Sequence, residues 1–450
     1  MRGADKGSRA PSCYGPTSAN MGSGSERSGV QVARFDMSPN ARMTVQPIKP
    51  IVDGQASNTT WRAGMALLCA LLSAFALCAD AAGAMGQFGR YGTLSGEFIE
   101  PNGIAVDQQS GDVFIVDSNN RRVEKFSKEG KFLLAWGWGV ADGKTHALQT
   151  CETRCFAGFD GTGAGQLGFA EGVAVDNDPL SPSYKDVYVV DIGNHRVEKF
   201  TPAGKFLLMF GGEVNETAHN NGERANEDLC PVDPGDKCKA GREGPTDGQF
   251  EFPVEGNFIA VGADGNVYVG DRNRVQQFSP RGIYRSQAKL LPEPKATGSN
   301  EVGGISGLAV NAAGDLYVIR NGIIGVNDYE PSGRLLRTLD EQGEPANPEG
   351  PTPTVTLDST GDVFIDDSAN GQHKIDEYDA MGAKLANFDA GMEGGLHGIA
   401  FGDRTGELYV VDTNSNATPA VARVRIVFPP DPEPFAPTDS ELIRWLIPQL

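Results

Sequence analysis

The sequence predicts an all-β protein, a six-bladed β-propeller with four strands to the blade, and three observations carry that prediction. The chain repeats itself: "VFIVDSNNRRVEKF" (113–126) returns as "VYVVDIGNHRVEKF" (187–200), with nine of fourteen positions identical. Fainter copies follow as "VYVGDRNRVQQF" (267–278), "LYVIRNGIIGVNDY" (316–329), "VFIDDSANGQHKIDEY" (363–378) and "LYVVDTNSNATPAVARVRIVF" (408–428). Repetition at a period of about 45 residues marks a solenoid, a propeller or an array. Within each copy the pieces are short, rich in Val, Ile, Tyr and Phe, and divided by Gly, Asp, Asn and Pro, which are strand and turn signals. Runs such as "VYVVD" are apolar on both faces, as a sheet sandwiched between two neighbours requires. Four strands, a to d, without room for a helix suit a closed radial array.

The elements follow in order. Strand a of each repeat reads "GIAVD" at Gly103, "GVAVD" at Gly172, "FIAVG" at Phe258, "GLAVN" at Gly307, "TVTLD" at Thr354 and "GIAFG" at Gly398. Strands b and c are the two arms of the quoted repeat. In the first five repeats a small turn and a further apolar run supply strand d, as in "SKEGKFLLAWG" and "TPAGKFLLMFG". The sixth repeat stops at "ARVRIVFPPDP" and has no strand d. The spare segment "AMGQFGRYG" ahead of repeat one matches the end of a strand d. Residues near 84–89 are therefore expected to complete blade six and hide both open edges.

The order "PNGIAVD … GDVFIVDSNNRRVEKF … GKFLLAWG" resembles the NHL repeat, and repeat two carries the Asn194-His195 step of that family's name motif. The resemblance spans roughly residues 85–428, strongest in repeats one and two. Repeat four departs from it with Arg320 where strand b otherwise ends in Asp, and repeat five places Asp366 in an otherwise apolar strand. The resemblance implies NHL-like blades and a secreted, bacterial-type member of the family. It says little about function, because sites are grafted onto folds.

Four regions result. Residues 1–60 are rich in Gly, Ser, Pro and Asn without apolar periodicity, and read as disordered or as an extension ahead of a true start at Met43 or a neighbouring Met. Residues 61–84 read as a secretory signal peptide: Arg62, an apolar stretch over 63–79, then small residues suited to cleavage. An uncleaved signal-anchor over 63–79 is the alternative, and only then would the protein contact a membrane. Residues 85–430 form the propeller, and 431–450 a Pro-rich linker with a short C-terminal helix. Secretion agrees with the cysteines, since four of seven lie in the propeller. They are expected to pair locally, Cys151 with Cys155 and Cys230 with Cys238, with cross-linked pairings as the alternatives.

The net charge of −20 arises after residue 84, where 31 basic residues face 54 acidic ones. That balance argues against nucleic acid, whose recognition needs a basic surface. No G-x-S-x-G, H-E-x-x-H, P-loop or dinucleotide fingerprint occurs.

In a four-stranded blade the b–c turns and d–a connections share one side of the disc. Two d–a connections are enlarged, about 141–168 and 212–250, and each holds one cysteine pair. The b–c turns on the same side repeat a polar set: Asp117, Asn120 and Arg122 recur as Asp191, Asn194 and Arg196, with Asp271 and Asp412 as partial copies. One reading makes these oxygens ligands for a cation or polar molecule. The other has Asp and Asn bonding their own turn backbone, and recurrence in several blades favours it.

Related propellers imply metal chemistry: a lyase with histidine ligands and lactonases with a calcium ion at the channel mouth. The five histidines, His146, His195, His219, His373 and His397, are too dispersed for one three-histidine zinc site. Glu171, at the mouth of blade two, is similar to a lactonase calcium ligand. The expected function is thus a non-catalytic binding module taking a protein, glycan or other extracellular ligand on its insert-bearing face. It needs no cofactor, with calcium the one candidate. A calcium-dependent lactonase- or lyase-like enzyme is the alternative.

Overall fold

A computed structural model describes residues 84–252, 256, 258–290, 304–320, 325–339, 354–367, 374–414 and 417–430. The expected extension 1–60, all but the last residue of the expected signal segment 61–84, the tail 431–450 and His373 lie outside the described residues. Six antiparallel sheets make up the fold, four of four strands and two of five. Blade one holds Pro101–Val106, Val113–Asp117, Arg122–Phe126 and Phe132–Trp138 as strands a to d; blade two holds Ala170–Val175, Val187–Asp191, Arg196–Phe200 and Phe206–Phe210. Each strand a contacts the strand a of the next blade, around to Gly395–Gly402 of blade six against Pro101–Val106. The ring is closed.

The two-sided apolar runs explain the packing. Val113–Asp117 and Val187–Asp191 are buried along their whole length, because each sheet has a neighbour on both faces. Between blades one and two, Trp136 lies 6.0 Å from Phe114 and 5.7 Å from Phe200, ring centre to ring centre. Burying a large apolar side chain stabilises by about 1.5–3 kcal/mol, so these interblade seams hold the ring.

Closure follows the expectation. Ala84–Phe88 pairs with Val421–Val427 as the outer strand of blade six, Phe88 opposite Val424 and Ala84 opposite Val427. Phe88 also packs 4.7 Å from Phe126 of blade one, so the closing strand ties two blades.

Candidate functional site

The side of the disc that carries the d–a connections is built from a polar device repeated in blades one to three. Strand b ends in Asp117, a single 3-10 turn covers Ser118–Asn120, and Arg121 closes it in the left-handed conformation. Asp117 Oδ2 accepts from Asn120 Nδ2 at 2.8 Å and from Arg122 Nε at 2.9 Å, while Oδ1 accepts from Ile99 N at 2.8 Å. Arg122 spends its remaining donors on four backbone carbonyls: Thr93 at 3.0 Å, Leu94 at 2.8 Å, Glu97 at 2.7 Å and Phe156 at 3.1 Å. Blade two repeats the arrangement with Asp191, Asn194 and Arg196, whose carbonyls are Thr162, Gly163, Gln166 and Lys239. In blade three Arg274 joins Asp271 to Pro245 and Gln249. A planar fork with five N–H groups is suited to such multidentate gripping.

The sequence-predicted residues thus fall into separate places. Asp117 meets Asn120 and Asp191 meets Asn194, each pair within its own blade. Asp271 and Asp412 sit alone in blades three and six, the latter accepting from Gly394 N at 2.7 Å and from Arg423 and Arg425. All are buried beneath the face, and the expected bonds to their own turn backbone are not the ones they make: the aspartates accept from N–H groups of the preceding connection and from arginines, while Asn120 and Asn194 donate to Gly92 O and Gly161 O of that connection and to their aspartates. Burial pushes Asp117 up to about 6 and raises Asp191 and Asp271, against the pull of their arginines. Glu171 lies apart on strand a of blade two, buried, its Oε2 accepting from Gly256 N at 2.7 Å. Nearby on the innermost strands, His397 Nδ1 stands 3.2 Å from Asn102 Oδ1, and burial holds His397 down to about 4, so it stays neutral. Among the described residues no three His, Cys, Asp or Glu side chains group as metal ligands.

Sequence reasoning missed the loops that the arginines hold. They read "YGTLSGEF" (91–98), "DGTGAGQL" (160–167) and "EGPTDGQF" (243–250), one copy before each of the first three blades. Gly96, Gly165 and Gly248 occupy equivalent places with φ near +70°, a backbone only glycine adopts without strain. Phe98, Leu167 and Phe250 then drop into the core, fully buried. This spacing, Gly-x-x-x-Gly-(Glu/Gln)-(Phe/Leu), was the signal available.

Both inserts are more regular than the loops expected of them. In the first, Leu148–Cys151 adds a fifth strand beside Phe132–Trp138, and the Cys151–Cys155 disulfide packs on Ala135 and Val140. In the second, the helix Glu216–Asn221 is capped by Asn215, which accepts from Ala218 N at 3.0 Å, and Leu229–Cys230 pairs with Met209–Phe210. The Cys230–Cys238 disulfide closes it. The local pairing of cysteines is as expected. In both blades the carbonyl that follows the second cysteine, Phe156 O or Lys239 O, is among those gripped by that blade's arginine. Two acidic residues of the second insert are paired within it: Glu213 with Arg242 at 2.7 Å, and Glu227 with Arg224 at 2.6 Å.

Three apolar side chains stand out of this face at the first insert: Tyr91 at 45%, Leu94 at 49% and Phe156 at 39% exposure. Leu94 and Phe156 are neighbours, since their carbonyls share the Arg122 guanidinium, and Ser95 Oγ bonds Thr153 O and Cys155 N. Beside Tyr91 opens a cavity of about 410 Å³ lined by Arg90, Glu393, Pro419 and Arg423.

Residues 98–126 match the NHL repeat family. The chain is 43% identical over 51 residues to Protein brain tumor of Drosophila melanogaster, covering 11% of this chain and 5% of that protein. It is 48% identical over 46 residues to B-box type zinc finger protein ncl-1 of Caenorhabditis elegans, covering 10% and 5%. It therefore spans about 5% of the length of these curated relatives. A gluconolactonase structure from Xanthomonas campestris is similar at 12% identity and a TM-score of 0.42, over 73% of this chain and 86% of that one. Blade one thus carries an NHL repeat, and the chain folds as a six-bladed β-propeller in which the frame of that repeat recurs around a closed ring.

Proposed function

We propose that this propeller is a non-catalytic interaction module of the extracellular space that captures a protein partner through its insert-bearing face. The observation that carries the reading is the pair Leu94 and Phe156, solvent-facing yet with both carbonyls held by a single buried guanidinium, together with the exposed Tyr91 on the same loop as Leu94. Exposed aromatic and aliphatic anchors supply most of the energy of protein interfaces. Backbone fixed in advance lowers the entropy lost on capture. Two disulfides support an oxidising compartment, and among the described residues no helix is long and apolar enough to cross a membrane.

Immobilised full-length protein tests this on extracellular fractions. Changing Tyr91, Leu94 and Phe156 together to serine should weaken capture about tenfold or more while leaving the melting temperature within a few degrees of the parent. Capture that survives the triple change sinks the reading. Replacing 213–247 by a Gly/Ser linker asks whether the second insert contributes. The competing reading, a calcium-dependent lactonase- or lyase-like enzyme, rests on Glu171 buried at the inner end of blade two. Calcium retained at one equivalent, together with lactone turnover that Glu171→Gln abolishes, would establish it instead.

A further inference from the structure

In blades one and two, two buried carboxylates share one arginine. Arg122 lies 2.9 Å from Asp117 and 3.0 Å from Glu124; Arg196 lies 3.2 Å from Asp191 and 2.5 Å from Glu198; none of these side chains reaches solvent. Two anions against one cation in a dry site are unfavourable. The aspartates are the better served members, each accepting from a backbone N–H, an asparagine and the arginine. The glutamates are not: Glu124 Oε2 and Glu198 Oε2 are buried without a hydrogen-bond partner. The charged groups facing Glu124 are Arg122, Asp117 and Glu97; those facing Glu198 are Arg196 and Asp191.

Blade three is an internal control. Glu124, Glu198 and Gln276 occupy one register, opposite Ile115, Val189 and Val269 of strand b. There the Asp271–Arg274 pair is kept while the glutamate is replaced by its uncharged isostere. Gln276 Oε1 accepts from Gly248 N at 2.9 Å, and its Nε2 donates to Gln249 O at 2.7 Å and to Asp271 Oδ2 at 3.3 Å. Glu124 Oε1 accepts from Gly96 N in the same way. The carbonyls equivalent to Gln249 O are those of Glu97 and Gln166, each already bonded to its arginine. The position calls for an acceptor on one atom and a donor on the other.

We propose that Glu124 and Glu198 keep their protons in the folded protein at neutral pH and act as donors, so that the two insert-bearing blades are locked by a proton that alkaline solution removes. Burial, the dominant influence, pushes Glu198 up to about 8 and Glu124 well above the carboxylate range. Loss of the proton places a second anion on the guanidinium that also holds Phe156 O or Lys239 O, and the grip on each insert slackens. In the unfolded chain a glutamate titrates near its ordinary value of 4.5. The stabilisation is therefore complete below that pH and is lost as pH rises through about 8.

The test compares full-length wild type with the Glu124→Gln/Glu198→Gln double variant from about pH 5 to about pH 10, following thermal midpoints and protease cleavage within 141–168 and 212–250. The wild-type midpoint should fall relative to the variant's as pH rises, levelling off beyond about 8. Insert cleavage should accelerate several-fold in the wild type alone. Parallel profiles, or a variant already less stable at pH 5, overturn the proposal. Infrared spectra of wild type carrying 13C-labelled glutamate give an answer that needs no variant: besides the signal of Glu377, which burial raises to about 7, two protonated carboxyl groups should be present at pH 7. Their absence overturns the proposal whatever the variant does.

Discussion

Arg196→Ala should destabilise the protein by about 3–5 kcal/mol, the range for removing one partner of a buried ionic network. Its loss strands Asp191 without its cation and leaves the carbonyls of Thr162, Gly163, Gln166 and Lys239 without their donor. Domains are stable by only about 5–15 kcal/mol, so the loss approaches the whole margin. Arg196→Lys should recover less than half of it, because one ammonium cannot span carbonyls from two connections as a planar fork does. Urea denaturation of the three proteins measures this directly. A cost below about 1 kcal/mol for the alanine variant would show that the arginine is not what ties the connections to blade two.

Deleting residues 84–90 should have an effect of the same order through a different cause. It removes the outer strand of blade six and bares the edge of Val421–Val427. It also takes Phe88 from its seat against Phe126, worth about 1.5–3 kcal/mol of burial. An unpaired strand edge in addition invites association between molecules. The midpoint of thermal unfolding should drop by roughly 10 °C or more, with concentration-dependent aggregation. Phe88→Ala should fall between deletion and wild type, since it keeps the ladder and loses the ring. An unchanged midpoint in the deletion would refute closure by this strand.

The fold was legible because its signals are local and repeated. Each "VFIVD"-type run declares a sandwiched strand, and the missing strand d of repeat six points to its replacement at Ala84–Phe88. The recurrence of Asp117 and Asn120 was legible for the same reason, but not their partners, which lie in the preceding connection rather than in their own turn. Arg122 was identified, but not its role, because its carbonyls lie up to 34 residues away along the chain. Glu124 and Glu198 were hidden by strand logic: in "RVEKF" a glutamate next to a lysine suggests solvent exposure. In the fold, the preceding connection covers and buries them. The fifth strands were invisible because "LQTC" and "LC" are too short to show any period. The cluster of Tyr91, Leu94 and Phe156 joins two connections whose proximity no single stretch of sequence encodes.

The closing strand also fixes how this molecule would bear tension. Ala84 is paired with Val427, so the chain enters and leaves the ring at the same end of one antiparallel ladder. That end lies on the side of the disc opposite the inserts, because strand c runs from the b–c turn toward the other face. A pull applied through the two chain segments would load the Ala84–Val427 pair first and then peel Gly86, Gln87 and Phe88 in turn, rather than shear the whole ladder at once. Tethered from that side, the propeller presents its decorated face outward, and blade six is the part that yields first under load.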